Sequence, residues 1–262
     1  MTPILVTGGT GQVGTALQRL APHRGVEIVA PTRAELPLDA SCAIAAFLDR
    51  QPFSAVINCG AYTGVDKAES EPDAAYAVNA VAPEIIAKAA AARAIRLLHV
   101  STDYVFDGSK DGLYDESDPV APLGVYGASK EAGEAAIRTS HPDHVILRTA
   151  WVVSPWGQNF VKTMLRVGPE RGKLRVVDDQ RGCPTSAHDI AEALLAITTQ
   201  GGAAGTYHFV NAGEASWCEL ARFVFDRAGL DVEVEAITTD QYPTPAKRPA
   251  NSRLLTAKLQ EA

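Results

Sequence analysis

The stretch Ile4-Leu-Val-Thr7 runs straight into Gly8-Gly-Thr-Gly-Gln-Val-Gly14, and the next residues place apolar side chains at helical spacing. Strand, glycine turn and helix in that order admit few folds. Glycines allow the tight turn and let backbone N–H groups approach a pyrophosphate, while the new helix turns its positive N-terminus toward the anion. Two spacings fit, Gly9-x-Gly11-x-x-Gly14 and Gly8-x-x-Gly11-x-x-Gly14. Taken alone the motif is just a turn. At the first strand-to-helix junction of a chain it predicts a dinucleotide site.

The same rhythm continues along the chain. Short apolar runs at 27–32 (EIVAPT), 55–60 (AVINCG), 97–102 (LLHVST) and 144–150 (HVILRTA) alternate with alanine-rich helical patterns. Such alternation predicts an α/β fold, a doubly wound parallel sheet of Rossmann type, over residues 1–150. Pro83 interrupts the helical stretch from Ala74 to Arg93, where it either starts a new helix or kinks one. A helix is also expected to start near Gly127. Beyond residue 150 the pattern loosens, which predicts a smaller C-terminal substrate-binding part over 151–262, with segments near 177–212 returning to the Rossmann domain. The Pro-rich, polar stretch 238–253 reads either as a surface connection or as a loop over a bound ligand.

Composition narrows the partners. The 262 residues are 46% hydrophobic and 21% charged, with a formal net charge of -7 and no run of Lys and Arg. A nucleic-acid surface or an anionic-membrane patch therefore has little support, and the expected partner is a small molecule met locally. The cysteines, Cys42, Cys59, Cys183 and Cys218, lie far apart with no Cys-x-x-Cys pair, as expected of reduced intracellular thiols. No basic-then-apolar leader opens the chain and no apolar run reaches the length of a membrane span, so the expected location is the cytoplasm.

The end of the second strand should meet the adenosine ribose. An acidic residue there favours NAD, but this chain has Pro31-Thr32-Arg33, whose cation can pair with a 2′-phosphate. NADPH is the expected cofactor, with NADH as the lesser alternative and Arg33 as a solvated loop residue the plainer reading. The run 97–102 ends in Ser101-Thr102-Asp103-Tyr104, and ligands of open α/β sheets bind outside the carboxyl ends of strands. About one helix later come Tyr126 and Lys130, four apart and so on one helical face. An i,i+4 surface pair is the bland reading. In the catalytic reading Tyr126 is a proton donor and Lys130 a cation that lowers its pKa. His99, inside an apolar strand, reads as a satisfied core histidine. Asp66, Lys67 and Glu69 read as helix-start charges.

With Thr102, Tyr126 and Lys130 in place, the chain resembles the dTDP-4-dehydrorhamnose reductase family of extended short-chain dehydrogenase/reductases. The resemblance runs from about residue 4 to 259 through TGGTGQVG, AYTGVDKAESEPDAAYAVNA, STDYVFDG, VYGASKEAGE, RTAWVVS, DDQRGCPT, GTYHFVNAGEASW and RPANSRL, in the family's order. It implies reduction of the 4-keto group of a dTDP-6-deoxyhexulose by NADPH, with Thr102, Tyr126 and Lys130 as the catalytic set. It further implies cofactor contacts from Gly8, Gly11, Gln12, Val13, Arg33, Asp39, Gly60, Ala61, Tyr62 and Lys130. Thr63, Asp103, Tyr104 and Trp151 fall on the nucleotide-sugar side; core packing is the alternative for Trp151. Arg248 and Arg253 are the candidates for the sugar-nucleotide diphosphate, because a guanidinium grips phosphate oxygens in a fork; ordinary surface charge is the other reading.

The chain departs from the family in two places. Some members join into dimers through Mg²⁺ held by acidic side chains, the first on the helix after the glycine turn, where this chain has Ala16. No metal and a monomer or weak homodimer are therefore expected. The sequence also stops at KLQEA, sooner than many relatives, so a terminal helix is expected to be missing or trimmed. Two rivals share these motifs: a sugar-nucleotide epimerase or dehydratase, and a non-catalytic NADP-binding subunit that modulates a methionine adenosyltransferase.

Overall fold

A computed structural model of the chain describes residues 2–261. Its main sheet has six parallel strands: β1 (Ile4–Thr7), β2 (Ile28–Val29), β3 (Ala55–Asn58), β4 (Arg96–Thr102), β5 (His144–Thr149) and a last strand at Gly205–His208. Across the sheet the order is Gly205–His208, β5, β4, β3, β1, β2. Both faces are covered, and this is why the strands read as unbroken apolar runs. Ile4, Val6, Val145 and Leu147 pack toward α1 (Gln12–Leu20) and the helix Ala187–Gln200, while Leu5, Val56, Leu97 and Ile146 pack toward the helices Ser41–Leu48 and Ala82–Ala91. Alternate residues of one strand thus enter opposite layers. Each such buried aliphatic side chain contributes about 1.5–3 kcal/mol over its exposed state.

The chain goes from β1 outward to β2, then crosses back to β3 on the other side of β1. Loops leaving β1 and β3 diverge at this switch point and open a crevice above their carboxyl ends. Gly8 sits there at φ +68°, and a Cβ on it would stand 2.5 Å from the Gly60 nitrogen. The two loops can touch only because neither carries a side chain at the contact. β2 is shorter than the run 27–32 from which it was expected, since Pro31 cannot donate to a ladder.

Pro83 starts rather than kinks a helix. Pro72–Tyr76 is helical, Ala77–Val81 widens into a π turn, and Pro83 then lies in the first turn of Ala82–Ala91, where its missing N–H is tolerated. The later helix begins at Val125, before the expected Gly127, so that Tyr126 lies inside its first turn. Its N-cap, Gly124, has no capping side chain of its own. Glu69 supplies the cap from a distance, its Oε1 accepting the Val125 N–H at 2.8 Å. Gly127 and Gly133 let this helix press against the carbonyls of Tyr104 and Asn79, where a Cβ would come within 2.1 Å of either oxygen.

The C-terminal half adds a smaller layer. Helices Phe160–Arg171 and Trp217–Ala228 enclose Leu174, Val176, Cys218, Ala221 and Phe225 beside the strand pair Lys173–Val177 and Glu233–Ile237. The capping box of Ser216 and Glu219 starts the second helix. Between these pieces, helix Ala187–Gln200 and strand Gly205–His208 join the main sheet and its cover. The stretch 238–253 crosses as a loop and ends in Asn251–Ser252, paired with Arg181–Gly182. A short helix, Ala257–Glu261, comes last. All four cysteines are free thiols. Among the described residues no helix is long and apolar enough to cross a membrane.

Candidate active site

A cleft of about 830 Å³ opens at the carboxyl ends of β1, β3, β4 and β5. Gly8, Gly11, Gln12, Val13, Arg33, Asp39, Gly60, Ala61, Tyr62 and Thr63 line one part of it, and Thr102, Asp103, Tyr104, Tyr126, Lys130 and Trp151 another. Every residue expected at the site from sequence is therefore present, except Arg248 and Arg253, which do not line the cleft. Both guanidiniums are engaged by other groups, Arg248 beside Tyr104 at the cleft's edge. Arg248 forms a fork on Asp66 at 2.7 and 3.0 Å, and Arg253 bonds Glu214 at 3.0 Å, Asn251 at 2.8 Å and the Asp111 carbonyl at 2.6 Å. Asp66, taken from sequence as a helix-start charge, is thus also the anchor of the 238–253 loop.

At the glycine-rich end, α1 begins with Gly11 as N-cap and no side-chain cap, leaving first-turn amides for an anion. A Cβ on Gly11 would meet only the Gly8 oxygen, at 3.2 Å. Arg33 stands at the rim, 84% exposed, in an ion pair with Asp39 at 3.3 Å. These groups fit a dinucleotide phosphate chain with a further phosphate near Arg33. Gln12 spans the cleft, its Oε1 accepting from Ser154 Oγ at 2.9 Å and Asn159 Nδ2 at 2.8 Å.

At the other end, the Thr102 hydroxyl donates to Asp103 Oδ1 at 3.0 Å and accepts from the Tyr104 N–H at 3.2 Å. Asp103 is buried, its Oδ2 has no protein partner, and burial pushes its carboxyl up to about 6. The Tyr126 ring meets Tyr104 edge-on, with centroids 5.4 Å apart. Burial pushes the Tyr126 phenol up to about 12; the Thr102 hydroxyl opposes the shift and the Asp103 charge adds to it. Lys130, expected from sequence to lower it, is not among the groups that shift it. The Lys130 amine turns elsewhere: it donates to the Val100 carbonyl at 2.8 Å and lies 3.1 Å from His99 Nε2. Burial in turn lowers Lys130 to about 8.

The third wall is aromatic. Trp151 adopts φ 47°, a left-handed backbone rare for a large residue, and its ring stacks on Trp217 at 3.4 Å between centroids and 8° between planes. Gly182 lies beneath, where a Cβ would stand 2.4 Å from Trp151 Cε2. Trp151 is therefore held by packing and still faces the cleft, which joins the two sequence readings of it.

A cleft with a phosphate cradle at one end and Thr, Tyr and Lys at the other has clear relatives. The family model described as RmlD substrate binding domain matches residues 1–262. The chain is 43% identical to the dTDP-4-dehydrorhamnose reductase of Sinorhizobium fredii, over 98% of this chain and 90% of that one. It belongs to the dTDP-4-dehydrorhamnose reductase family. Among solved structures, the Clostridium acetobutylicum dTDP-4-dehydrorhamnose reductase superposes with a TM-score of 0.96 at 38% identity, covering 100% of this chain and 92% of that one. The Bacillus anthracis dTDP-4-dehydrorhamnose reductase, solved in complex with NADP, has a TM-score of 0.96 at 35% identity, with 100% and 93% covered.

In this family member several residues that shape the site have no role assigned from the sequence, although Asn79, Glu134, Arg148 and Trp217 stand inside the stretches that carry the resemblance. Asn79, fully buried, accepts from the Tyr62 N–H at 2.8 Å and donates to the Tyr62 carbonyl and to Ser129 Oγ, tying the Tyr62 loop to the helix of Tyr126. Glu134 and Arg148 form a buried ion pair at 2.7 Å beneath the same helix. Phe160 and Trp217 complete the aromatic wall. An i,i+4 spacing signals Arg138 with Glu134, but nothing in sequence signals the partners that lie tens of residues away.

Proposed function

We propose that this chain is an NADPH-dependent reductase of the 4-keto group of a dTDP-4-keto-6-deoxyhexose, with dTDP-4-dehydrorhamnose as substrate and dTDP-L-rhamnose as product. The carrying observation is the meeting, in one cleft of a dTDP-4-dehydrorhamnose reductase family member, of a glycine-rich phosphate cradle with Thr102, Tyr126 and Lys130. When bound, the nicotinamide supplies hydride to the carbonyl carbon. The chain's own work is to hold the ketone and deliver a proton to its oxygen. Tyr126 donates that proton, Thr102 hydrogen-bonds the same oxygen, and Lys130 bonds the nicotinamide ribose. Gly8, Gly11, Gln12, Val13, Gly60, Ala61, Tyr62 and the Arg33–Asp39 rim hold the cofactor. Thr63, Asp103, Tyr104 and Trp151 hold the sugar nucleotide. Residues 1–150 act mainly on the cofactor, and 151–262 mainly on the substrate.

The test supplies NADPH with enzymatically made dTDP-4-keto sugars and identifies the product. One NADPH oxidised per alcohol formed is the expected result. An epimerase or dehydratase returns its cofactor to the starting state, and a regulatory subunit gives no turnover; either outcome sinks the proposal.

Arg33→Ala is expected to raise the KM for NADPH far more than that for NADH. Charge-assisted hydrogen bonds are worth about 1.5–3 kcal/mol, so the ratio should move by roughly one to two powers of ten. An unchanged ratio would mean that Arg33 serves only its ion pair with Asp39.

EDTA is expected to leave turnover intact. Ala16 is fully buried in the core under the sheet, and among the described residues no His, Cys, Asp or Glu cluster is arranged to hold a metal ion. Loss of activity restored only by Mg²⁺ would refute this.

A further inference from the structure

Trp151 bears two conformational costs at once. Its backbone is left-handed at φ 47°, a conformation that a large residue keeps only where its surroundings hold it. Its indole meets Trp217 face to face, with 3.4 Å between centroids and 8° between planes, although aromatic pairs prefer an offset or an edge. The rings are pressed together from two sides. A Cβ on Gly182 would stand 2.4, 2.5 and 2.8 Å from Cε2, Nε1 and Cδ2 of Trp151. Three neighbouring ring atoms at nearly one distance place Gly182 over a face of the indole, not beside its edge. Trp217 fills the other face, because a sandwich at van der Waals distance leaves no room on its own side.

Both jaws are fixed independently of Trp151. Gly182 pairs with Ala215 across the antiparallel strands Arg181–Gly182 and Ala215–Ser216, and Trp217 follows as the first residue of its helix. The capping box of Ser216 and Glu219 holds that helix start, and Ser216 Oγ also donates to Asp178 Oδ1. The Trp217 indole N–H donates to Gln180 Oε1 at 3.2 Å, and the buried Gln180 donates in turn to Thr239 Oγ1 at 3.0 Å. Phe160 braces the Trp217 ring at 4.7 Å between centroids. With both faces covered, Trp151 offers the cleft only an edge. That edge stands at the catalytic end, since Thr149, two residues earlier, is in register with Thr102 of β4.

We propose that Trp217 and Gly182 are positioning residues, a clamp that sets the edge of Trp151 against the sugar of the bound nucleotide sugar and denies the nucleobase a stacking face there. The edge of an aromatic ring carries the positive part of its quadrupole, which suits the oxygens of a sugar; a base needs an open face. The proposal rests on the reductase reading for its ligand alone.

The experiment uses Trp217→Leu, Trp217→Phe and Gly182→Ala, each with ¹⁵N-labelled tryptophan. The chain has three tryptophans, so three indole N–H signals are expected, and Trp151→Phe identifies one of them. In the ligand-free parent the Trp151 signal should be displaced by the ring current of Trp217. It should move in Trp217→Leu, which empties one jaw, and in Gly182→Ala, which crowds the other. By calorimetry both variants should bind dTDP-L-rhamnose roughly tenfold more weakly, the scale of one lost aromatic contact, while dTDP and NADPH stay within about twofold. The KM for the 4-keto sugar should rise with that loss while kcat changes less. Trp217→Phe, which keeps a flat ring in the jaw, should restore most of the affinity. An unmoved Trp151 signal, equal losses for dTDP and dTDP-L-rhamnose, or a Trp217→Phe as weak as Trp217→Leu would overturn the proposal. Gly182→Ala keeps both rings and decides the matter should Trp217→Leu not fold. A parent that binds neither dTDP ligand sinks the reductase reading, whereas the indole signals need no ligand and still decide whether the clamp exists.

Discussion

Tyr126→Phe is expected to bind NADPH as the parent chain does and to lose roughly two to four powers of ten in kcat, the usual contribution of a positioned general acid. The substitution keeps the ring that meets Tyr104 edge-on, so the wall of the cleft is preserved and only the proton is removed. At about 12 the phenol stays protonated across the working range, so the acid is loaded before the ketone binds. Single-turnover mixing of NADPH-loaded protein with the dTDP-4-keto sugar isolates the chemical step, and a fluorescence titration of NADPH isolates binding. Reduction at near the parental rate would assign the proton to another group, with the buried Asp103 carboxyl the next to test.

Breaking the Glu134–Arg148 pair should have the largest effect on stability. Both side chains are almost wholly buried, at 0% and 4% exposure, and the guanidinium meets the carboxylate through Nε at 3.0 Å and Nη2 at 2.7 Å. Removing Glu134 strands the Arg148 guanidinium in a dry interior, and removing Arg148 leaves the buried Glu134 carboxylate with only the more exposed Arg138 as its ion-pair partner. Arg148→Met or Glu134→Leu should therefore cost about 3–5 kcal/mol in denaturant unfolding, and the double variant should recover much of it. A single-variant loss under about 1 kcal/mol, the worth of an exposed pair, would show that the pair is idle. The pH dependence has a definite sign. Although burial works to raise it, the Arg148 guanidinium and its neighbours hold the Glu134 carboxyl below its usual range. Its contribution is thus fully present above the unfolded carboxyl value near about 4.3 and is lost as pH falls through the lower folded value. The consequence reaches the site, because this pair fastens the helix whose first turns carry Tyr126 and Lys130 to β5.

The parallel sheet, the glycine crevice and the shared face of Tyr126 and Lys130 were legible in the residues themselves, with Thr102 added by the family resemblance, and the reasons are local. A strand buried on both faces must be apolar throughout, a turn at φ +68° calls for glycine, and residues four apart on a helix share a face. Tertiary structure alone decided the rest. Arg248 and Arg253 read from sequence as phosphate binders, yet the fold brings Asp66 and Glu214 to them across 182 and 39 residues. Glu69 caps a helix that starts 56 residues later, and Asn79 bonds Ser129 across 50. Lys130 read as the partner of Tyr126 on its own helix, and only the fold brings its amine to Val100 and His99 of β4. Periodicity reports which way a side chain points from its own element. What it meets there, how dry the place is and which proton it keeps depend on groups that only the folded chain brings within hydrogen-bonding distance.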